Sequence, residues 1–173
     1  MLLLLVSTLF IVPALLGWGF LSEKTLKITI CDGLAGKLLG GVFTLSILFT
    51  CIAFWGGISI YTETFVLATG IFFFSKEKIY KNFWTFLKNS GLVFYSAIFF
   101  ILFAASFAPF ILDYFGYYKP TIQWISEYGL VKGISNLDLT LGQMSVWHIF
   151  QAGFSGFSDT SLRINALLLM FFF

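Results

Sequence analysis

Charged residues are scarce in this 173-residue chain. Asp, Glu, Lys and Arg make up 10% of it, against about 25% in soluble globular domains. Hydrophobic residues make up 59%, and 24 residues are Phe. A soluble chain of this size cannot bury so much apolar side chain, because a folded domain always keeps a large accessible surface. The composition excludes an ordinary soluble domain, a disordered chain and a disulfide scaffold, and it predicts an integral membrane protein.

Other residue types are too rare for several common functions. The net charge is only +2, so the chain has no electrostatic footprint for nucleic-acid binding. If the segment between Cys31 and Cys51 is largely helical, the two cysteines lie about 30 Å apart, which is beyond disulfide reach. The only histidine, His148, has no nearby cysteine or acid, which disfavours a zinc site. The sequence also lacks a Walker-type phosphate loop and the G-x-S-x-G and H-E-x-x-H motifs.

Long apolar runs predict an all-α fold of polytopic transmembrane helices, about five plus a truncated sixth. A crossing helix needs roughly 20 apolar residues. The predicted spans are residues 1–21, 38–58, 59–75, 91–112, 144–157 and 162–173. The first run lacks a basic leader and a cleavage site, so we interpret it as a retained helix. The last run ends without a polar exit. We therefore expect a single integral membrane unit that is the N-terminal fragment of a longer protein.

The third predicted span includes one acidic residue, Glu63. Gly56 and Gly57 precede it and indicate a tight turn. We favour a location for the carboxylate at the outer headgroup level, with the alternative that it points inward as a functional group. A re-entrant hairpin is a further alternative for this region.

Lysine is concentrated in two connecting segments, one between the first two predicted spans and one between the third and fourth. The lysines are Lys24, Lys27, Lys37, Lys76, Lys78, Lys81 and Lys88. Alternation of spans places both segments on one membrane face, and the positive-inside rule makes that face cytoplasmic. The loop over residues 113–143 is then exoplasmic.

The segment from Lys76 to Lys88 has apolar residues at helical spacing. Ile79, Phe83, Phe86 and Leu87 lie opposite lysines, which predicts an interfacial helix on the inner leaflet. The alternative is a simple basic flank of the neighbouring spans.

The predicted exoplasmic loop contains one further helix and several polar candidates. Residues 121–128 have amphipathic spacing, with Trp124 and Tyr128 suited to the membrane interface and Gly129 suited to a C-terminal cap. Asp113 lies where the fourth span ends, and its carboxylate suits a general base or a cation ligand. From the residues alone, a charge that marks the water boundary is favoured over these two roles. For His148, an interhelical hydrogen bond beside Gln151 is favoured over proton transfer.

The loop residues also occur in a recognisable order. In sequence they are Asp113, Tyr117, Trp124-Ile125, Glu127-Tyr128-Gly129, Gly133, Asn136-Leu137 and Leu141-Gly142. This order resembles the first exoplasmic loop of a family of bacterial multi-spanning proteins with glycosyltransferase-C-like (GT-C) architecture. The chain departs from that pattern at Tyr118 and Asp138, where histidine is expected, and at Thr140, where arginine is expected.

The resemblance implies a glycosyltransferase of the bacterial inner membrane that uses a polyprenyl-phosphate-linked sugar to assemble envelope glycans. It implies that Asp113 is the catalytic carboxylate and leaves open whether a divalent cation takes part. The substrate-binding residues would be Tyr117, Tyr118, Trp124, Glu127, Asn136, Asp138 and His148. Membrane lipids are the other expected partners. A transporter or flippase of a lipid-linked or small polar substrate, and a noncatalytic membrane scaffold, are the alternative functions.

Overall fold

The computed structural model describes residues 2–27, 33–105, 114–136, 142 and 144–156. Their helices are α1 (Leu2–Leu26), α2 (Gly33–Trp55), α3 (Ile60–Lys76), α4 (Ile79–Asn89), α5 (Leu92–Ala105), a π-helical turn (Tyr114–Tyr118), α6 (Lys119–Tyr128), a 3-10 turn (Ile134–Asn136) and α7 (Val146–Ala152). No strand occurs within these ranges. The predicted all-α class is confirmed.

Two helices are long and apolar enough to cross a membrane. They are Leu5–Leu26 within α1 and Gly33–Trp55, with 22 and 23 residues. At 1.5 Å per residue, each extends about 33 Å, which matches the hydrocarbon core. A membrane protein is therefore indicated by the fold as well as by the composition.

The next helices differ from simple crossing helices. The predicted third span is α3, with 17 residues. The predicted amphipathic helix is present as α4, and it meets α5 at an angle of 103°. The bent pair is long and apolar enough to cross a membrane only when both helices are counted as one span. The described part of the fourth predicted span is α5, and residues 106–112 lie outside the described ranges.

The predicted span over residues 144–157 is not a continuous crossing helix. Helix α7 has seven residues, or about 10 Å, which is a third of the hydrocarbon thickness. Ser145 caps its start and Gly153 ends it. The predicted span over 162–173 lies outside the described residues. The described helices thus provide two candidate spans, or three with the bent pair.

The described chain divides into two compact units. The first unit contains residues 2–27, 33–44 and 65–105. The second unit contains residues 45–64, 114–136, 142 and 144–156. Helices α2 and α3 each contribute residues to both units.

Glycine allows close backbone contacts in the first unit. A Cβ atom at Gly17 would overlap the carbonyl of Gly70 in α3, and one at Gly41 in α2 would overlap the carbonyl of Leu15. Small residues at helix contacts are typical of membrane proteins, where lipid provides no hydrophobic force between helices. Helix α1 therefore packs on α2 and α3 through its backbone.

Polar contacts add to this packing. The Trp18 indole Nε1–H donates to the Val66 carbonyl at 2.9 Å. Lys37 forms an ion pair with Glu23, with a distance of 2.7 Å between Nζ and Oε2. These contacts join α1 to α3 and to α2, respectively.

Candidate functional site

Backbone contacts hold the end of α6 in the second unit. Gly129 ends the helix with φ +73 and ψ −153, and a Cβ atom there would overlap the carbonyls of Ala53 and Gly56. The Leu130 N–H donates to the Ala53 carbonyl at 2.7 Å. The predicted C-terminal cap at Gly129 is confirmed, and it brings α6 onto the link between α2 and α3.

The sequence explains why α6 forms here. The π-helical turn continues directly into α6, because Tyr118 has helical backbone angles. Pro120 lies in the first turn, where a missing N–H costs nothing. Ile122 and Ile125 are buried and fix the inward face of the helix.

A capping box starts α7 and fixes the tautomer of the neutral His148 imidazole. The Ser145 hydroxyl accepts a hydrogen bond from the His148 backbone N–H at 3.3 Å, and the Ser145 backbone N–H donates to His148 Nδ1 at 3.1 Å. Because a backbone N–H can only donate, Nδ1 acts as the acceptor. In the neutral imidazole, the proton is then on Nε2.

Burial keeps this imidazole neutral. The side chain is 5% exposed, and desolvation lowers the pKa of His148 below its ordinary value. His148 therefore offers a buried N–H donor at Nε2 and no positive charge at neutral pH.

Two tyrosine rings flank the imidazole. The ring centroids of Tyr117 and Tyr118 lie 5.4 Å and 5.2 Å from that of His148. Burial, with a smaller contribution from Tyr118, raises the pKa of Tyr117, so its phenol stays protonated. The structure thus brings together three of the predicted substrate-binding residues.

Three buried polar atoms lie on α6 and α7, one of them on the imidazole itself. Thr121 Oγ1, Trp124 Nε1 and His148 Nε2 are buried and have no hydrogen-bond partner among the described residues. Thr121 follows Tyr118 by three residues and precedes Trp124 by three, so consecutive members are helical neighbours, and α6 packs against α7. An unsatisfied buried polar group costs about 1–3 kcal/mol, and such groups in native proteins often have a water or ion as partner.

We refer to these five residues as the α6–α7 cluster: Tyr117, Tyr118, Thr121, Trp124 and His148. Thr121 is the member that sequence reasoning missed. Its spacing from Tyr118 and Trp124 was visible, but its burial without a described partner depends on the packing of α6.

Glu63 lies inside the protein. Its side chain is 4% exposed, and its Oε2 accepts a hydrogen bond from the Gly156 N–H at 2.8 Å. The side chain therefore points into the protein, as in the inward alternative, and its location at the outer headgroup level stays a prediction. The carboxylate holds the chain that follows α7 against the start of α3.

The other predicted site residues are either exposed and not part of the α6–α7 cluster or lie outside the described residues. Glu127 on α6 and Asn136 in the 3-10 turn are exposed. Asp113 and Asp138 lie outside the described residues, and their locations stay predictions. Within the described ranges, no three His, Cys, Asp or Glu residues come together as metal ligands.

Taken together, these features define a helical membrane protein whose second unit has two half-buried tyrosine rings against His148 and buried polar atoms on α6 and α7. A family model described as "Domain of unknown function (DUF8201)" matches residues 1–173, and the chain belongs to that family. No curated protein and no solved structure matches the chain.

Proposed function

We propose that the chain is a GT-C-type glycosyltransferase of the bacterial inner membrane, with several spans. It would transfer a sugar from a polyprenyl-phosphate carrier during assembly of an envelope polysaccharide or glycan. The apolar helices α1 and α2 and the resemblance of the segment from Asp113 onward support this proposal.

The observation that carries the proposal is the chemistry of the α6–α7 cluster. His148 Nε2–H and Trp124 Nε1–H can only donate, whereas the Thr121 hydroxyl both donates and accepts. A sugar presents hydroxyl and ether oxygens that accept such hydrogen bonds, together with C–H faces that pack on aromatic rings. Ligand sites commonly combine apolar and aromatic walls with a few polar groups that fix orientation.

The cluster favours an uncharged ligand group over an anion. His148 is held neutral, and the other two unsatisfied atoms belong to Thr121 and Trp124, which have no formal charge. Phosphate recognition usually uses arginine, lysine or charge-assisted hydrogen bonds. The cluster therefore suits the sugar part of a lipid-linked donor better than its phosphate.

In the proposed reaction, Asp113 acts on the exoplasmic side as general base. It takes the proton of an acceptor hydroxyl while that oxygen bonds to the anomeric carbon, and the bond from this carbon to the phosphate oxygen breaks. The polyprenyl phosphate leaves with the electron pair. Glu127, Asn136 and Asp138 would shape the acceptor or phosphate side of the site.

Substitution of Asp113 tests the reaction in membranes that contain the full-length protein. General-base catalysis contributes about 10²–10⁴-fold, so Asp113→Asn is expected to lower transfer of label from lipid-linked sugar to glycan by at least about 100-fold. Glu77→Gln is the control, because Glu77 pairs with Lys24 in the first unit. Unchanged transfer in Asp113→Asn would contradict the proposal.

A transporter is the second candidate, because Glu63 is a buried carboxylate in an apolar chain, and ionisable groups at membrane depth often mark transport paths. In that case, Glu63→Gln would abolish translocation of a lipid-linked sugar, and Asp113→Asn would leave it unchanged. Measurement of translocation and of sugar transfer on the same two variants separates the functions.

A further inference from the structure

We propose that α4 is an anchor for anionic lipid, lying flat on the membrane surface with its lysines at the headgroups. This inference requires membrane insertion only. It does not depend on sugar transfer or on the α6–α7 cluster.

The lysines on and just before α4 have positive charges that no described acid neutralises. Lys76, Lys78, Lys81 and Lys88 are exposed, and none of them forms an ion pair with a described residue. The acid within this stretch, Glu77, pairs with Lys24 at 3.2 Å between Oε1 and Nζ. Four positive charges within thirteen residues complement an anionic leaflet, which attracts lysines near its surface.

The apolar and aromatic residues of α4 divide into a set that faces the protein and a set that is exposed. Ile79 is buried, and the Phe83 ring packs against Phe74 with centroids 6.1 Å apart. These residues face the protein. In contrast, Tyr80 and Trp84 are 45% and 60% exposed.

Tyr80 and Trp84 lie one turn apart and therefore share one edge of α4. Tyrosine and tryptophan are the residues that prefer the membrane interface. Lys81 and Lys88 lie beside this edge on the helical wheel, so that their stems can cover apolar surface while their ammonium groups reach the headgroups.

The 103° angle between α4 and α5 also favours an interfacial orientation of α4. Helix α5 consists of apolar residues apart from Tyr95 and Ser96, and Leu92, Val93 and Phe100 are strongly exposed. Such a helix suits lipid on its open sides. When α5 is aligned with the bilayer normal, α4 lies within about 15° of the membrane plane, which is the orientation of an interfacial helix.

Spin labelling of the full chain in vesicles tests the orientation. Nitroxides are placed by Trp84→Cys or by Thr85→Cys, each combined with Cys31→Ser and Cys51→Ser. Thr85 lies about 100° from Trp84 around the helix. We expect the label at position 84 to collide mainly with oxygen in lipid and the label at 85 with a water-soluble nickel complex. A label at 84 that nickel reaches, or that neither reagent reaches because protein covers it, would overturn the proposal.

Lipid retention tests the selectivity for charge. The protein is reconstituted in phosphatidylcholine with and without phosphatidylglycerol, and retained phosphatidylglycerol is measured by native mass spectrometry. Each lysine near an anionic surface is worth about fivefold in affinity, so Lys81→Gln and Lys88→Gln should each lower retention about fivefold. Lys132→Gln in the second unit is the matched control and should lower it less than twofold. Equal retention in all three variants, each with the elution volume of the parent protein, would overturn the proposal.

Discussion

Gly129 offers the sharpest test of how the second unit is assembled. Its φ of +73 and ψ of −153 belong to a region that is essentially restricted to glycine and costs about 1–3 kcal/mol for other residues. A methyl group would also overlap the carbonyls of Ala53 and Gly56, and overpacking adds about 1–3 kcal/mol. Gly129→Ala is therefore expected to lower the free energy of unfolding by about 2–6 kcal/mol.

Gly133→Ala is the matched control. Gly133 also has a positive φ, +85, but the nearest atom to its added Cβ is Asn136 Nδ2 at 3.6 Å, an ordinary contact. Both substitutions carry backbone strain, and only Gly129→Ala carries the overlap with α2 and the link that follows it. The difference between the two variants therefore measures the close contact, about 1–3 kcal/mol.

Thermal unfolding of the detergent-purified protein, followed by circular dichroism, provides the measurement. For a chain of this length, 1 kcal/mol corresponds to about 2–4 °C in Tm. We expect Gly129→Ala to unfold about 2–12 °C below Gly133→Ala. Equal Tm values would refute the inference that α6 is held by direct backbone contact.

Three further outcomes follow from single contacts. Gly70→Ala should lower the free energy of unfolding by about 1–3 kcal/mol, because the added methyl group clashes with α1. Gly91→Ala has open space around its Cβ and should change this free energy by less than about 0.5 kcal/mol. Chemical unfolding compares the two variants. Because burial lowers the pKa of folded His148, the unfolded chain takes up that proton first, so stability should fall as the pH drops below about 6.5, by at most about 1.4 kcal/mol per unit. His148→Gln should remove this dependence, and a parent curve that is flat between pH 7 and 5 would contradict it. Glu63→Gln keeps an oxygen acceptor for the Gly156 N–H but removes the charge of the carboxylate, so a Tm loss equivalent to about 1 kcal/mol is expected. A larger loss for Glu63→Gln than for Glu63→Ala, which removes the acceptor, would contradict this role.

Local sequence patterns predicted the helices correctly where each pattern is compatible with only one local structure. The spacing of Ile79, Phe83 and Leu87 predicts α4, and Gly129 marks the end of α6, because side-chain periodicity and glycine conformations are set within a few residues. The charge-free runs at the N-terminus predict α1 and α2 for the same reason.

Sequence patterns were insufficient where tertiary contact decides the outcome. An apolar run over residues 144–157 predicts burial but does not distinguish lipid from protein surroundings. Helix α7 is short, and Phe150 within it and Phe154 after it are buried. The direction of Glu63 depends on Gly156, 93 residues later. No local pattern encodes such a contact.

Thr121 provides a direct test of whether the α6–α7 cluster is adapted to a ligand. Its buried hydroxyl lacks a partner among the described residues, so replacement by the similarly shaped valine removes an unsatisfied group that costs about 1–3 kcal/mol. Thr121→Val should therefore raise the free energy of unfolding of the unliganded protein while it weakens binding of the lipid-linked sugar. Thr85→Val, which removes an exposed hydroxyl bonded to the Lys81 carbonyl, should change neither quantity appreciably. Because a hydroxyl that is hydrogen-bonded within the folded protein would lose that bond on the same replacement, a destabilised Thr121→Val with normal sugar binding would assign the hydroxyl to structure and not to recognition.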